Sequence, residues 1–527
     1  MAISITSTEP LALHTFPTEI FDLVIEHLVV TIGIRKAALL RTVNRAFNTS
    51  ILDAICLSQV IDIHHPGTPR IASWMPPTLR GKIIAAKSRS TEAGGPKYLS
   101  VVKAVQQTLE KVAVSLDQQL DESWLVLISG EINIRSKGAI DAGVQAQNLL
   151  SAAAIIGHLA FTKLLLDGAL GLPVLPKVDG HTPYFENALC LAAAYGHLAV
   201  VQYLLHTGAR PIVPSYYENE ESLLDTQARW ITEDPNTQLF SLRYEEHHSP
   251  LRAAVQSGHA DIVHLLLRPE HRPHLSSVEY LRAVLAGARF GRIDLIRTLL
   301  HTIGKELSDF PGLGEEMLRT AAHHDQRAVV RILAHQGIDV NCIPFPEGRT
   351  NQYGALWIAS AMGHVDMVHL LLEAGANVHL ITMDYGSAIK GAACRGQQEV
   401  VDILIEHGAD PATAFLSAAQ SCQPLLIRHL LDRFPALAEG ECGQVALSDS
   451  IVGCNLTAIS ILVESGVSLN LHSSAGYGLY GPRWVTDHLY TLGARTIDSA
   501  EWTRNDYHLE IRDVRLSKHT WEWVSKH

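Results

Sequence analysis

Twenty-eight histidines and seven cysteines are the residues of this chain whose chemistry reaches furthest, because both types ligate metals and both serve in catalysis. Their spacing favours neither role. His64-His65, His247-His248 and His323-His324 are adjacent pairs, and adjacent residues face different ways on a helix or strand. A Gly-His step recurs in register at Gly157-His158, Gly196-His197, Gly258-His259 and Gly363-His364, and these histidines read as parts of a recurring turn. The cysteines (Cys56, Cys190, Cys342, Cys394, Cys422, Cys442, Cys454) form no Cys-x-x-Cys pair and read as reduced packing residues of an intracellular protein. There is no His-Glu-x-x-His, no Walker or G-x-G-x-x-G loop and no G-x-S-x-G elbow; Gly476–Gly481 lacks a preceding strand and a phosphate-binding lysine. The expectation is a non-enzymatic protein with no catalytic residues, no cofactor and no metal.

The residues suited to binding are aromatic. Tyr217, Trp230, Phe345, Tyr353, Trp357 and Tyr385, with Arg349, stand beside turn-forming segments. Aromatic and arginine side chains are the usual anchors of protein interfaces, each costing about 2 kcal/mol or more on truncation. The alternative, that Trp357 and Tyr385 pack inside the fold, stays open at this point. A second binding feature is residues 211–248, which carry eight acidic and two basic residues and so about half of the net charge of −12. That overall charge argues against nucleic acid as a partner, since such binding needs a basic surface to release counterions. The most apolar window, 149–166, is broken by His158 and Lys163, so no membrane span is expected. The first 17 residues lack a basic segment followed by an apolar run, and a cytoplasmic or nuclear location is expected.

The elements that must position these residues follow a period. Residues 353–411 contain one pattern written twice, with Gly363 and Gly396 at equivalent points 33 residues apart. Each glycine follows small residues (Ala359, Ser360, Ala361; Ala392, Ala393, Cys394) and precedes an aliphatic stripe (Val368, Leu371, Leu372; Val401, Leu404, Ile405). Aligned to Gly363, the equivalents are Gly157, Gly196, Gly258, Gly291, Asp325, Gly396, Cys422, Cys454 and Gly481. The physical reading is a pair of short antiparallel helices joined by a glycine turn. Alanine on the first helix lets neighbours approach, and paired leucines on the second fill the space between copies. The spacing Gly196 to Gly258 is 62 residues, which leaves 211–248 as an insert between copies, and Asp325 to Gly363 adds five residues around Pro344, Pro346 and Gly348. With 527 residues, 47% apolar but only 6% aromatic, an elongated helical array suits the composition better than one large core.

This pattern resembles the ankyrin repeat over roughly 147–470, with a weaker extension to Ala494. The best copies are Ser249-Pro250-Leu251-Arg252…Gly258-His259 and Ala355-Leu356-Trp357…Gly363-His364. The resemblance implies an all-α ankyrin-repeat solenoid of about nine repeats whose concave face, lined by the aromatic positions above, holds a protein partner. The histidine of the family's Thr-Pro-Leu-His step is replaced here by Cys190, Arg252, Trp357 and Lys390.

Residues 14–48 carry a second pattern. Pro17 suits a first helical turn, and Ile20, Leu23, Val24, His27 and Leu28 fall at i, i+3, i+4, i+7 and i+8, one apolar face. A second helix is expected after Gly33, with Leu40, Val43 and Phe47. The stretch resembles an F-box: Phe16-Pro17, Ile20, Val24 and Leu28 match its opening, and Leu40-Arg41, Val43-Asn44-Arg45 and Phe47 its close. The acidic-leucine step between the helices is replaced by Ile34-Arg35-Lys36-Ala37, so the module is F-box-like. The resemblance implies docking onto a ubiquitin-ligase adaptor subunit through Phe16, Pro17, Ile20, Leu23, Val24 and Leu28, with a client protein on the repeats; the alternative is that these helices only cap the array. The layout expected is an F-box-like module at 14–60, a linker and helical bridge at 61–146, repeats at 147–495 and a C-terminal cap at 496–527.

Overall fold

Helices make up the regular structure, and no strand occurs among the described residues. In the computed structural model these are residues 21–29, 50–51, 54, 77–90, 96–115, 122–134, 136, 138–211, 249–273, 278–303, 307, 312–342, 353–381, 386–469 and 483–493. Helix α1 (residues 21–29) precedes α2 (Pro77–Ser90), α3 (Lys97–Ser115) and α4 (Glu122–Glu131). Helix pairs follow: α5 (Ala142–Ile156) with α6 (Leu159–Leu166), α7 (Ala188–Ala194) with α8 (Leu198–His206), α9 (Pro250–Ser257) with α10 (Ala260–Leu266), and α11 (Val278–Arg289) with α12 (Ile293–Ile303). Then come α13 (Leu313–His323) with α14 (Arg327–His335), α15 (Ala355–Met362) with α16 (Val365–Glu373), α17 (Ala388–Cys394) with α18 (Gln398–Glu406), α19 (Pro411–Gln420) with α20 (Pro424–Arg433), and α21 (Gly440–Val452) with α22 (Leu456–Glu464). A last helix, α23, spans Arg483–Thr491. The array is all-α and built from nine pairs among the described residues.

Two compact units result. The first holds α1 to α10 and most of α11 and α12; the second holds residues 288–293 and α13 to α23. Inside each unit the first helices of successive pairs pack side by side, α5 on α7 and α7 on α9 in one, α13, α15, α17, α19 and α21 in series in the other. Their contact faces are alanine: Ala192, Ala193, Ala392, Ala393, Ala418 and Ala419 are each 0% exposed. The second helices fill the gaps with larger side chains, and Leu204, Leu371, Leu404 and Leu430 are likewise fully buried. Truncating any of these leucines to alanine costs about 2–5 kcal/mol on general grounds.

The turn positions picked out by period all take the left-handed conformation. Gly157, Gly196, Gly258, Gly291, Gly363 and Gly396 have φ between 68° and 89°, and Asp325, Cys422 and Cys454 have φ of 54°, 55° and 53°. Those three are the only non-glycine residues with positive φ among the described ones, so the backbone follows the register even where glycine is absent. Gly481 lies outside the described residues.

In four copies the residue after the turn ties its pair to the preceding one. His197 Nε2 donates to the carbonyl of Ile155 at 2.9 Å, His259 Nε2 to Ala194 at 3.1 Å, and His364 Nε2 to His323 at 2.9 Å. Gln423 does the same with an amide, Nε2 to the Cys394 carbonyl at 3.2 Å. In each case the acceptor sits two residues before the preceding turn residue, so the recurring histidine is a cross-repeat strut. It occupies the space a side chain at the turn would need: a Cβ on Gly196 would lie 2.5 Å from His259 Cε1.

Helix starts are set locally. Ser249 Oγ accepts from Arg252 N at 3.2 Å with Pro250 following, and Asp410 accepts from Ala412 N and Thr413 N at 3.1 and 3.0 Å with Pro411 following. Ahead of the pairs, the stretch expected as a linker and helical bridge contains α2, α3 and α4. Helix α2 packs on α4, with the Arg80 guanidinium donating to the Gly130 carbonyl, and α3 packs on α5. Tyr195 Oη donates to Glu131 Oε1 at 2.8 Å, and burial together with Glu131 raises its hydroxyl pKa, keeping it protonated. These helices are therefore continuous with the first repeats.

Candidate partner-binding surface

The first helices of the second unit present three large polar or aromatic side chains where the sequence departs from the repeat pattern. Arg319, Trp357 and Lys390 each lie six residues before their turn residue, on α13, α15 and α17. Arg319 is held by Glu316 one turn earlier, with Nη2 to Oε1 at 2.5 Å and Nε to Oε2 at 2.8 Å. Both side chains are largely enclosed, at 16% and 11% exposed. Burial pulls the Arg319 guanidinium down, but Glu316 outweighs it and its pKa stays raised. The pair is thus a fixed fork on the helix surface. The Trp357 indole covers Gly391 on α17, where a Cβ would lie 2.9 Å from Cε2, and stacks on Tyr353 with ring centroids 4.0 Å apart.

Tyr353 does not stand out as a contact residue. It is 3% exposed, because the indole lies over its ring, so the expectation of an exposed aromatic there is corrected. Trp357 is half-buried, which combines the two readings held open for it: it packs in the stack and keeps one edge at the surface. Tyr217, Trp230, Phe345, Arg349 and Tyr385 lie outside the described residues, as does the acidic insert from residue 212 to 248.

Helix α1 shows a shifted face. Ile25 and Val29 are buried at 1% and 0%, whereas Leu23 and Val24 are 60% and 43% exposed and Leu28 is half-buried. The stripe buried against the protein is therefore Ile25 and Val29, spaced i, i+4, and not the stripe of Leu23, Val24 and Leu28 expected to form the single apolar face. Phe16, Pro17, Ile20 and the second helix of that module fall outside the described residues.

One cluster was missed in the sequence. Adjacency predicts that His323 and His324 face apart, yet their ring centroids lie 4.5 Å apart and His323 Nδ1 is 3.3 Å from His324 Nε2. His323 is the last residue of α13 and His324 its non-helical cap, and leaving the helix brings the two rings together. Burial comes first in depressing them, to about 4 and about 3, followed by Arg319 on His323 and Arg289 on His324; His364 and, on His323, Arg395 add to this. The signal available in the sequence was position: the pair immediately precedes Asp325, the turn residue.

Among the described residues no group of three or more His, Cys, Asp and Glu could hold a metal ion, the six described cysteines are free, and no helix is long and apolar enough to cross a membrane. What the surface offers is fixed charge, an aromatic edge and a rigid small-residue backing, which is chemistry for recognising another protein.

The chain carries ankyrin repeats. The family model for ankyrin repeats in three copies matches residues 281–382 and 345–415, and that for a single ankyrin repeat matches residues 185–215. Among curated proteins, it is 26% identical over 298 residues to the ankyrin repeat and KH domain-containing protein mask-1 of Caenorhabditis elegans, covering 55% of this chain and 10% of that protein. It is 29% identical over 177 residues to the B-cell lymphoma 3 protein homolog of Mus musculus, covering 31% of this chain and 36% of that one. The chain thus spans between a tenth and about a third of the length of these relatives. Among solved structures, the ankyrin repeat domain of human ASB11 aligns over 41% of this chain and 99% of its own, at 21% identity and a TM-score of 0.34. Ankyrin repeats imply a scaffold for protein–protein interaction.

Proposed function

We propose that the protein is a non-enzymatic substrate-recognition subunit of an SCF-type ubiquitin ligase, with α1 docking the ligase adaptor and the repeats holding a client protein. The observation that carries the docking half is the exposed pair Leu23 and Val24, on a helix already anchored by Ile25 and Val29. Two neighbouring aliphatic side chains at 60% and 43% exposure form a ready apolar contact once the opposite stripe is fixed. The F-box-like match of Phe16-Pro17, Ile20, Val24 and Leu28 supports the same assignment. The client surface is the Arg319–Trp357–Lys390 row, with Tyr217, Trp230, Phe345, Arg349 and Tyr385 as further contacts.

Affinity purification of the tagged chain tests this. The adaptor and its cullin should co-purify, and Leu23→Asp with Val24→Asp should remove both while leaving the thermal unfolding midpoint nearly unchanged, since neither side chain is buried. Recovery of no adaptor by the unaltered chain overturns the reading. It would leave the alternative favoured by the burial of Ile25 and Val29, in which α1 serves only to cap and partner binding survives deletion of the residues before Leu99.

A further inference from the structure

Two of the three non-glycine turn residues among the described ones are cysteines, and they stand in successive repeats. Cys422 lies in the turn between α19 and α20 and Cys454 in the turn between α21 and α22, with φ of 55° and 53°. Both thiols are free; Cys422 is exposed and Cys454 half-buried. The Cys422 sulfur reaches across to the next repeat, 3.7 Å from the Gly453 carbonyl oxygen. A Cβ on Gly453 would lie 3.0 Å from that sulfur, so the glycine is what lets it rest against the backbone beside Cys454. By peptide geometry the sulfur is then within about 6.5 Å of the Cys454 Cα. The Cys454 sulfur lies 3.9 Å from the Val452 carbonyl oxygen, so the two thiols meet consecutive carbonyls at the end of α21. Thiols are weak donors, and contacts of this length leave both side chains able to turn about their Cα–Cβ bonds. The same interface lacks the strut found elsewhere: Asn455, in the position of Gln423, has a buried Nδ2 without a partner.

We propose that Cys422 and Cys454 are a site of oxidative modification, converted by hydrogen peroxide to a disulfide that ties the α19–α20 repeat to the α21–α22 repeat. The exposed Cys422 thiolate attacks one oxygen of the peroxide. The O–O bond breaks, the sulfur becomes a sulfenic acid, and the departing hydroxide takes a proton and leaves as water. The Cys454 sulfur gives its proton to solvent and attacks the Cys422 sulfur; the S–O bond breaks and the hydroxide is protonated to a second water. Two thiols and one peroxide thus give one disulfide and two waters, a two-electron oxidation. Burial first, and Cys422 after it, push the Cys454 thiol up, so Cys422 is the residue that meets the oxidant. The new bond supplies the cross-repeat tie that Asn455 does not make, and it restricts the unfolded chain between the two cysteines. Neither adaptor docking nor client binding enters this inference.

Peroxide treatment of the full chain, followed by blocking of free thiols and peptide mapping without reduction, tests the pairing. A peptide cross-linked through Cys422 and Cys454 should appear, and dithiothreitol should release it. The oxidised chain should have a higher urea midpoint than the reduced chain, with slower amide exchange in α19 to α22. Cys422→Ser and Cys454→Ser should each abolish the cross-linked peptide and the gain in midpoint. Gly453→Ala keeps both thiols but displaces the Cys422 sulfur, and should slow cross-linking about tenfold or more. The urea midpoint of its reduced form verifies that this variant folds. The proposal is overturned if Cys422 is recovered as sulfinic acid with Cys454 still free, or if it pairs with another cysteine or a second chain. It is equally overturned if the cross-link leaves the urea midpoint unchanged, or if Gly453→Ala cross-links as fast as the parent. Adaptor recovery is a separate measurement, so either reading can fail while the other stands.

Discussion

At the scale of single residues, the cross-repeat strut explains what a recurring histidine does, and it exposes a place where the strut is missing. Asn455 holds the strut position after the turn residue Cys454. Its Oδ1 caps α22 by accepting from Ala458 N at 3.2 Å, but its buried Nδ2 finds no partner. Asparagine is one methylene shorter than the glutamine that makes this bond at Gln423. Asn455→His or Asn455→Gln should therefore raise stability by about 0.5–1.5 kcal/mol, the net worth of one added hydrogen bond, read as a higher urea midpoint. A non-glycine turn residue in the preceding repeat is no obstacle, since His364 makes its bond beside Asp325. Cys454→Gly should also stabilise, by up to about 1 kcal/mol, by relieving a left-handed non-glycine residue at φ 53°.

The His323–His324 pair has a pH consequence whose sign is fixed by its depressed pKa values. Above the ordinary histidine value of 6.5 both folded and unfolded states are neutral there, and the pair costs nothing. As pH falls below 6.5, the unfolded chain takes up protons that the folded chain refuses until about 4 and about 3, so stability is lost across that window. His323→Asn with His324→Asn should flatten the decline of melting temperature between pH 6.5 and 4 relative to the parent; an unchanged slope would contradict the burial of neutral rings. The turn register was legible because a left-handed backbone recruits glycine strongly enough to mark it. The histidine cluster is not legible from the spacing of the pair alone, because its convergence depends on the chain leaving the helix between the two residues, which only their place just before the turn residue Asp325 signals.

At the scale of elements, α17 breaks a rule in order to fit its neighbour. A glycine inside a helix costs about 1 kcal/mol against alanine, so Gly391→Ala would ordinarily stabilise. Here the added Cβ would lie 2.9 Å from Trp357 Cε2, and the indole is braced against Tyr353. Gly391→Ala should instead destabilise by about 1–3 kcal/mol, the usual cost of overpacking. Trp357→Ala should remove that penalty, so a double-mutant cycle measured by urea unfolding should give a coupling of about 1 kcal/mol or more. Additive effects would mean that the indole moves aside. The same elements show the limit of periodicity. It located each helix pair, because alanine and leucine faces repeat with the fold, but on α1 it selected Leu23, Val24 and Leu28 while the protein buries Ile25 and Val29. A short helix rich in aliphatic residues offers two adjacent stripes, and only its packing partner decides between them.

At the scale of the whole molecule, a protein made of helix pairs holds together through neighbour contacts, each pair contributing its own stability and an interface to the next. No pair has a core of its own: the fully buried Ala392 on α17 and Leu371 on α16 lie where one pair meets another. Damage should therefore spread by proximity along the stack and not collapse every helix together. Ala392→Asp places a carboxylate at a fully buried position on a face that packs on both α15 and α19. Hydrogen exchange on this variant should show faster exchange of the amides in α15 to α19, while α5 to α8, which belong to the other compact unit, keep the protection of the parent. Leu204→Asp, at an equally buried site on α8, should reverse the pattern. Uniform loss of protection from both substitutions would show a single cooperative unit and would contradict a stability built from nearest-neighbour interfaces.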